Sequence, residues 1–308
     1  MAKWRNRLLL IKPEVTYGTA PSMTGTDALL VPEIDIVPLE VELKDRELIT
    51  GYYGNTEKVL SMRMSKATIS VEYANSGTRA TPPKWGPLLR ACGWAETITA
   101  ATSVEYNLIS GDEESAAMVF YADGVKHILR GSKGTPSLSM EAGEIPKWSF
   151  EFTALYTTTT AEANPTATYT GQGKPFAFNS ENTTPVSIHG FAACLESFSL
   201  DMANDVVFWQ LAGCSERVEI TDRKPTGAVK IEAPTLAAKN YFSALSSQTL
   251  GEFSFTHGSG SGGQLELTMP SCNLGGVGYS ESNGIIMLDI PFMPNPVTGN
   301  DEVSLLLT

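Results

Sequence analysis

The sequence has few of the residues on which metal sites, disulfides and membrane spans depend. Its 308 residues include only 4 cysteines and 3 histidines. No stretch approaches the roughly 18 consecutive apolar residues of a membrane span. The cysteines lie far apart without a C-x-x-C pair, so we expect reduced thiols, no disulfide and no zinc. With 42% hydrophobic and 18% charged residues, the composition predicts a folded, soluble protein.

The basic N-terminus is followed by a short apolar run, as in an export signal. The run covers only residues 8–11 and ends at Lys12 and Pro13, whereas an export signal needs roughly 7 to 15 apolar residues. We therefore expect the protein to stay in the cytoplasm in which it is made.

Motifs of catalysis and cofactor binding are also missing. His127, His189 and His257 stand apart without the i, i+4 spacing of a helical metal pair, so we expect surface or strand residues. There is no G-x-S-x-G nucleophile elbow. The glycine-rich residues 258–263 lack the Lys-Ser/Thr ending of a phosphate loop. We expect no enzyme activity, no cofactor and no metal.

Positive charge is scarce, above all in the second half of the chain. Up to residue 160 there are 16 basic and 19 acidic residues, which gives −3 of the total formal charge of −12. Beyond it there are 6 basic and 15 acidic residues, which gives −9. An acidic protein does not grip phosphate backbones. Specific nucleic-acid binding is therefore disfavoured, although an acidic surface can serve DNA by not retaining it.

Alternation of apolar and polar residues with a period of two dominates the chain and predicts strands. The clear cases are residues 34–36, 67–73, 118–121, 138–141, 149–154, 195–202, 229–233, 252–256, 264–269 and 285–292. Helix-like stretches are limited to residues 85–92 and 237–245. We therefore predict an all-β protein.

The second half of the chain repeats the first, strand for strand. The sequence TISVE at residues 68–72 returns as AVKIE at residues 228–232, about 160 positions later. Each copy also contains one of the helix-like stretches. We predict two tandem domains, the first at residues 1–160 with an N-terminal arm and the second at residues 178–308 with a C-terminal arm, joined by a linker at residues 161–177. A duplicated fold suits a repeating assembly better than a lone enzyme.

Acidic residues recur at corresponding places of the two copies. The candidates are Glu42, Glu72, Glu151, Asp201, Glu232 and Asp289. Glu42 aligns with Asp201, and Glu72 aligns with Glu232, whereas Glu151 and Asp289 share a face without being strict equivalents. One interpretation is that they lie on solvated faces of half-buried strands. The other is that edge strands pair across subunits and close into a ring, whose acidic inner wall lets a polyanion slide.

Residues 43–65 predict a long connection before the strand at Ala67. It carries basic and tyrosine side chains, of which the candidates are Lys44, Arg46, Tyr52, Tyr53, Lys58 and Arg63. A loop this long inside a compact domain is usually functional. We interpret it as an arm that docks on a neighbouring ring, where its basic residues meet the acidic second copy. Ordinary solvent exposure is the alternative.

Four stretches together resemble a known family. They are EVTYGTAP at residues 14–21, WGPLLRACG at 85–93, ITDRKPTG at 220–227 and TGNDE at 298–302. In this order, and over essentially its full length, the chain is similar to the major tail tube proteins of long, non-contractile-tailed bacteriophages, the siphophage tail tube family.

The resemblance implies β-sandwich tube domains, each with one short flanking helix, in rings stacked into a hollow tail through which DNA passes during ejection. Single-domain members form hexameric rings, so a chain with two such domains implies three chains per ring and pseudo-sixfold symmetry. The implied partners are further copies of the chain, viral DNA that passes without specific binding, and the tape measure, tail terminator and distal tail proteins. The implied location is the virion tail, after assembly in the host cytoplasm and without a membrane.

Two other functions fit parts of the sequence. A tube protein of a bacterial secretion system would share the fold but normally has one domain per chain, so the number of chains in the ring distinguishes the two. A carbohydrate-binding or adhesin β-sandwich would show an export signal or a cluster of exposed aromatic residues on one face. Neither is evident in the sequence.

Overall fold

The computed structural model describes residues 3–260 and 262–308. Strands dominate it, so the predicted all-β class is confirmed. The first half contains strands β1 to β10, at Arg7–Pro13, Ala28–Leu29, Glu33–Lys44, Val59–Glu72, Trp94–Thr99, Ser103–Leu108, Ala116–Ala122, Val125–Glu141, Lys147–Leu155 and Thr160–Ala161. The second half contains strands β11 to β21, at Thr183–Ile188, Phe191–Ala192, Leu195–Asp201, Asn204–Trp209, Arg217–Arg223, Thr226–Glu232, Gly251–His257, Leu265–Leu274, Gly278–Ser282, Ile285–Pro294 and Ser304–Leu307. Each predicted strand stretch falls on an observed strand, to within one residue at its ends.

Both predicted helices form, and each is shorter than predicted. They are α1 (Gly86–Arg90) and α2 (Tyr241–Ser246), and a 3-10 turn lies at Gly25–Asp27. In α1 a proline occupies the first turn, where its missing N–H costs no helical hydrogen bond. In α2 the side chain of Asn240 accepts a hydrogen bond from the backbone N–H of Ser243 at 2.9 Å. This N-cap starts the helix at residue 241 rather than at residue 237.

Eight strands form one antiparallel sheet, which we call the long sheet. Its order is β3-β4-β9-β8-β13-β16-β20-β19, so each half of the chain supplies four neighbouring strands. Side chains alternate between its faces: Ile69 and Val71 of β4 are buried, whereas Thr68 of the same strand is exposed. The long sheet therefore has an apolar face on the core and a polar face toward solvent.

A second layer packs on the apolar face of the long sheet. Its order is β5-β6-β21-β18-β17-β11-β12. Aromatic side chains join the layers: the rings of Phe198 and Phe255 lie 4.9 Å apart, and those of Phe253 and Phe292 lie 4.6 Å apart. The two layers make a β-sandwich, and the end of β18 also pairs with β20 to link them.

The two halves of the chain share this sandwich. In the long sheet β8 of the first half pairs with β13 of the second, from Glu141 opposite Ser197 to Ser137 opposite Asp201. In the second layer the C-terminal strand β21 lies between β6 and β18. One hydrophobic cluster contains side chains of both halves. The division into two domains and a linker stays a prediction, and its two units are joined through a continuous sheet and core.

The predicted linker lies against the first half. There the strands β2, β1, β7, the start of β8 and β10 pair in that order. Ala167 of the linker packs against the apolar cluster on the outer face of these strands. The Gln172 side chain accepts a hydrogen bond from the Leu30 N–H at 2.7 Å and donates one to the Ala28 carbonyl at 3.2 Å. A segment without strand alternation is thus held by side-chain contacts and by backbone hydrogen bonds such as that from the Thr168 N–H to the Gly25 carbonyl oxygen at 2.8 Å.

The prediction of a long connection at residues 43–65 is wrong. β3 and β4 instead pair as one long hairpin, whose loop covers only residues 45–58. The pairing register shifts twice along this hairpin, the second time between Glu42 and Leu43. Each shift interrupts the period of two, and both faces of the outer hairpin are exposed. The stretch therefore lacks the alternation from which a strand is predicted.

Candidate assembly surfaces

The polar face of the long sheet carries small hydroxyl side chains and acids. Hydroxyl side chains from five of its strands are Thr68, Ser70, Ser137, Ser139, Ser149, Ser197, Ser199 and Ser280. Register aligns them in rows across the sheet: Ser139 lies opposite Ser199, and Ser137 lies opposite Ser149. The face is therefore hydrophilic across both halves of the chain.

Five of the six acidic candidates lie on this polar face. They are Glu72, Glu151, Asp201, Glu232 and Asp289. Glu151 stands between Thr68 of β4 and Thr135 of β8, and Asp289 stands opposite Lys230 of β16. The sixth candidate, Glu42, lies outside this face, on the projecting hairpin opposite Met62.

Further charged residues share the polar face and were not predicted from the sequence. They are Glu33, Asp35, Glu141, Glu196, Lys66, Lys147 and Lys230. Lys230 lies 3.3 Å from Glu196, whose carboxylate also accepts a hydrogen bond from Ser282 at 3.0 Å. The alternation of apolar and polar residues in β3 and β8 places Glu33, Asp35 and Glu141 on this face, and it is the sequence signal that could have identified them. Because acids outnumber lysines there, the potential over the face is negative.

The second hairpin, made of β14 and β15, folds back onto the first half of the chain. The Asn204 side-chain amide donates hydrogen bonds to the carbonyl oxygens of Cys92 and Gly134, both at 2.9 Å. Ile220 packs beside Gly93, since a Cβ added to that glycine would lie 3.7 Å from Ile220 Cδ1. The hairpin thus covers the chain just after α1.

Two charged contacts hold the second hairpin in the same place. The buried Lys133 of β8 lies 2.7 Å from Glu219 of β15 and 3.5 Å from Glu113. Arg223 at the end of β15 lies 3.3 Å from Glu302, and both side chains are nearly buried. Separating a buried ion pair would leave an uncompensated charge. The second hairpin therefore has one defined position, held to the first half through Lys133 and to the C-terminal part of the second half through Arg223.

The first hairpin, which is the outer part of β3 and β4 at residues 39–64, projects into solvent. Val41, Leu43 and Leu60 are exposed to 43%, 47% and 51%. The register pairs Leu43 with Leu60 and Val41 with Arg63, which brings the three apolar side chains to one face. Adjacent exposed apolar side chains of this kind make this face a candidate interaction surface.

The two hairpins match each other in register. In the first, a shift separates the pair Glu42 and Met62 from the pair Leu43 and Leu60. In the second, the same shift separates Asp205 and Asp222 from Val206 and Ile220. The predicted alignment of Glu42 with Asp201 is therefore wrong, since Asp205 is the counterpart of Glu42. A bulge changes the offset in residue number between equivalent positions of the two copies, and sequence identity alone does not show where the bulge lies.

The arm candidates occupy the strands and the loop of the first hairpin. Tyr52 and Tyr53 lie in the loop and are exposed to 88% and 109%. Arg63 lies in β4, with its guanidinium carbon 5.2 Å from the centre of the Tyr156 ring. The other basic candidates form exposed ion pairs within the hairpin, which contribute little to stability. These pairs are Lys44 with Glu42, Arg46 with Glu57 at 3.7 Å, and Lys58 with Asp45 at 2.9 Å.

Comparison with family models matches residues 4–294 to the model described as phage tail tube protein. The chain belongs to the phage tail tube protein family. The predicted membership is confirmed, and it makes this tail tube protein a structural component of the virion tail. A search of curated proteins finds no match to the sequence.

The histidines of the tail tube protein serve packing. His257 Nδ1 lies 2.9 Å from the Thr183 hydroxyl, and its Nε2 lies 3.2 Å from the Phe176 carbonyl oxygen. Its ring stacks on Tyr73, with centres 5.8 Å apart. Burial lowers the pKa of His257 below its ordinary value, so the ring is neutral at pH 7. Burial also lowers the pKa of His127 and that of His189.

Neither a metal site nor a membrane helix is found in the part of the tail tube protein that the structure describes. Over residues 3–260 and 262–308, no three His, Cys, Asp or Glu side chains come together in a way that could hold a metal ion. No helix in those ranges has the length and apolar character to cross a membrane. Cys92 and Cys272 are buried free thiols, and Cys194 and Cys214 are exposed free thiols.

Proposed function

We propose that three chains form a ring with pseudo-sixfold symmetry, and that rings stack into a tail tube whose acidic lumen conducts DNA during ejection. The observation that carries the proposal is the joint inside one chain, where β8 of the first half pairs with β13 of the second. The counterparts of these two strands are the two ends of the long sheet. The same joint can therefore recur between chains.

Strand β3 is the counterpart of β13. Ile34 of β3 pairs with Ile69 of β4, and Phe198 of β13 pairs with Val229 of β16. Ile69 and Val229 occupy the same place in the repeated strands TISVE and AVKIE. β3 thus begins the first half of the long sheet in the way that β13 begins the second half.

Strand β19 is the counterpart of β8. Leu138 of β8 pairs with Trp148 of β9, and Tyr279 of β19 pairs with Leu288 of β20. The strand WSFEF at residues 148–152 corresponds to LDIPF at residues 288–292, because Phe150 pairs with Ile69 and Ile290 pairs with its counterpart Val229. Tyr279 thus holds the place of Leu138. β19 thus ends the second half of the long sheet in the way that β8 ends the first half.

Both outer strands offer an open edge. In the part of the chain that the structure describes, β3 pairs with β4 alone and β19 with β20 alone. An open edge presents N–H and C=O groups to another chain. Leu138 meets Leu200 in the joint inside the chain, so Tyr279 of one chain is expected to meet Ile36 of the next. Three chains with eight strands each would close a barrel of 24 strands.

The polar face of the long sheet is the proposed lumen wall. Its apolar face is covered by the second layer, so closing the barrel around the polar face leaves that layer outside. Glu72, Glu151, Asp201, Glu232 and Asp289 would then face the passage. A negative wall repels phosphate groups and gives DNA no site at which to bind. The DNA is expected to slide through without specific contacts.

The loop of the first hairpin is the proposed stacking element. At residues 45–58 it is about twice as long as the loop of the second hairpin at residues 210–216. Its tip exposes Tyr52 and Tyr53, side chains typical of interface cores. Arg46 and Lys58 of the loop can exchange their local partners for acids of the next ring, because exposed pairs are weak. We infer that each ring stacks on rings of further copies of the chain, that terminator and distal tail proteins bind the ends of the tube, and that the tape measure protein occupies its interior. Assembly is inferred to take place in the host cytoplasm.

Electron microscopy and native mass spectrometry of the purified protein test the ring. We expect hollow filaments, ring averages with threefold symmetry and six similar lobes, and isolated rings of three chains. Tyr279→Asp should prevent rings, because it places a charge in the joint between chains. Tyr169→Asp is the matched control in the predicted linker, where the tyrosine is exposed to 43% and lies outside the joint. Rings of six chains, or no rings at all, would contradict the proposal.

A further inference from the structure

We propose that the first hairpin of each chain docks on the second half of the neighbouring copy in the same ring. It would lie on the chain that follows α2, at residues 247–250, and beside the end of β20. This contact would repeat between chains the one that the second hairpin makes within a chain. The proposal rests on the ring proposed above, and it assigns that ring a second contact besides the paired strand edges.

The first step is that the two hairpins are equivalent. Both continue the first strand pair of their half of the long sheet, and both contain the same register shift. Across it, Leu43 and Leu60 of the first hairpin correspond to Val206 and Ile220 of the second. The face of the second hairpin that carries Ile220 contacts the first half. The corresponding face of the first hairpin carries Val41, Leu43 and Leu60, and it is exposed.

The second step is that the surfaces beneath the hairpins are equivalent but differ in exposure. After α1, residues 91–94 are all buried, and the second hairpin lies over them. After α2, residues 247–250 are all exposed, and Leu250 is exposed to 52%. The same contrast holds on the neighbouring strands: Thr153 of β9 is partly buried, and its counterpart Met293 of β20 is exposed to 42%. The second half thus keeps open the surface that the first half covers.

The third step identifies the occupant as another copy of this chain. The second hairpin reaches β8 and β9, which are the first and second strands beyond β13. The first hairpin extends from β3, which is six strands from β20 of its own chain, or about 30 Å at the usual strand spacing. It is therefore too distant to cover the surface beside β20 of its own chain. Pairing β3 with β19 of a neighbour brings the first hairpin beside that neighbour's β20 and α2.

The chemistry of the two surfaces also fits. The hairpin offers Val41, Leu43 and Leu60, and the opposite surface offers Leu250 and Met293, all of which are about half exposed in the single chain. Burying these side chains against each other removes apolar area from water. The docked strands then carry the longer loop at residues 45–58 past the neighbour, where it remains free for stacking.

Cysteine cross-linking in assembled tubes tests the docking. Ile220 lies beside Gly93, and both Gly93 and Gln248 follow their helix with positive φ, at 82° and 52°. Leu60→Cys and Gln248→Cys are therefore combined in one chain, in which Cys194→Ser and Cys214→Ser remove the exposed thiols. The tubes are treated with a short bismaleimide, and the products are separated by denaturing electrophoresis. The control replaces Leu60→Cys by Met62→Cys, which lies on the opposite face of the hairpin.

We expect covalent dimers and trimers and nothing larger, since docking within a ring of three closes on itself. The control should stay mostly monomeric. If tubes with three chains per ring form but the products extend beyond trimers, the hairpin docks between rings and this proposal is overturned. Tubes of such rings without cross-links would overturn it as well. If no ring of three chains forms, the ring itself fails and the docking fails with it.

A single substitution gives a second measurement. Leu60→Asp places a charge on the docking face at an exposed position, so the chain should fold with an unchanged circular dichroism spectrum and fail to form rings. Ring assembly at the wild-type concentration would argue against a contribution of this face.

Discussion

At the scale of single residues, the protein uses its buried charges to hold elements together. Lys133 is the clearest case, because it is buried in β8 and its two carboxylate partners come from different parts of the chain. Glu219 belongs to the second hairpin, and Glu113 belongs to the loop before β7. The ion pair therefore links the second half of the chain to the first at one point.

Replacing Lys133 tests this link. Lys133→Met should lower the free energy of unfolding by about 2 kcal/mol, because Glu113 and Glu219 lose their hydrogen-bonded partner in a largely buried place. Urea unfolding of the single chain measures the change. Lys224→Met is the control: Lys224 lies 2.9 Å from Asp222, but both are exposed, so a change within about 0.5 kcal/mol is expected. Equal effects of the two substitutions would remove the structural role of Lys133.

The pH dependence of stability is a second expectation at this scale. Burial lowers the pKa of His257 in the folded chain, whereas an unfolded histidine titrates near about 6.5. Below that pH the unfolded chain takes up a proton more readily than the folded chain does, so stability falls as the pH falls from about 6.5 toward the folded pKa. The urea midpoint of the wild type should decline as the pH falls from 8 to 5, and the urea midpoint of the His257→Asn variant should decline less.

A separate acid range distinguishes the carboxylates from the histidine. Hydrogen bonds from Thr298 and from neighbouring backbone N–H groups lower the pKa of Asp301 to about 2. Its contribution is present above the ordinary carboxyl pKa and is lost only as the pH falls from about 4 toward 2. An identical slope of His257→Asn and wild type between pH 8 and pH 5 would exclude the histidine as the source.

At the scale of elements, two equivalent hairpins have different surroundings. The second hairpin has Asn204 where the first has Val41, since each pairs with an arginine next to the shared register shift. The Asn204 amide bonds two backbone carbonyls of the first half, and a valine cannot do so. The first hairpin has an apolar face and a longer loop in place of these polar contacts, which suits a partner that arrives only on assembly.

Shortening the loop of the first hairpin separates stacking from ring formation. Residues 45–58 are replaced by Asn-Gly, which closes a two-residue hairpin turn. We expect rings of three chains that do not elongate into tubes, because Tyr52, Tyr53 and the basic residues of the loop are lost while the strands stay. Electron microscopy measures the length of the filaments.

The control for this prediction shortens the loop of the second hairpin. Replacing residues 210–216 in the same way should leave tubes of normal length, since that loop is not assigned to stacking. Normal tubes from the chain without residues 45–58 would show that stacking depends on other surfaces.

At the scale of the whole molecule, a polar face runs across both halves of one sheet. Four strands from each half lie side by side in the long sheet, and the core covers only one of its faces. The opposite face collects acids from β4, β9, β13, β16 and β20. A single chain thus already contains a third of the proposed barrel wall, including one copy of the joint that would close it.

Charge reversal on this wall tests its role in DNA passage. A phage with Glu72→Lys and Glu232→Lys in this protein should assemble tails of normal length, because both side chains point away from the core. Its DNA should leave more slowly, since lysines attract phosphate groups. The rate of DNA release from triggered particles measures the effect.

A reversal elsewhere provides the comparison. Glu181→Lys changes an exposed acid outside the long sheet and should leave the release rate unchanged. A wild-type rate for the phage with both lysines would remove Glu72 and Glu232 from the lumen.

Local sequence patterns were sufficient for much of this protein. Alternation located the strands, and the repeat of TISVE as AVKIE identified two equivalent strands in the halves. The same alternation predicted that Glu72, Glu151 and Asp289 point away from the core. These features were predictable because the direction of a side chain along a strand depends only on the residues of that strand.

The tertiary structure alone decided how the strands combine. Pairing of Glu141 with Ser197 joins the halves across the predicted linker, and β21 inserts between strands of different halves. Because of the bulges, Glu42 lies on the first hairpin and not on the polar face of the long sheet, where the alignment with Asp201 placed it. Packing likewise decides that the contact of Asn204 with Cys92 is buried and that the hairpin face around Leu60 is exposed. Which strands become neighbours depends on contacts between residues far apart in the chain, and the period of two within each strand carries no information about them.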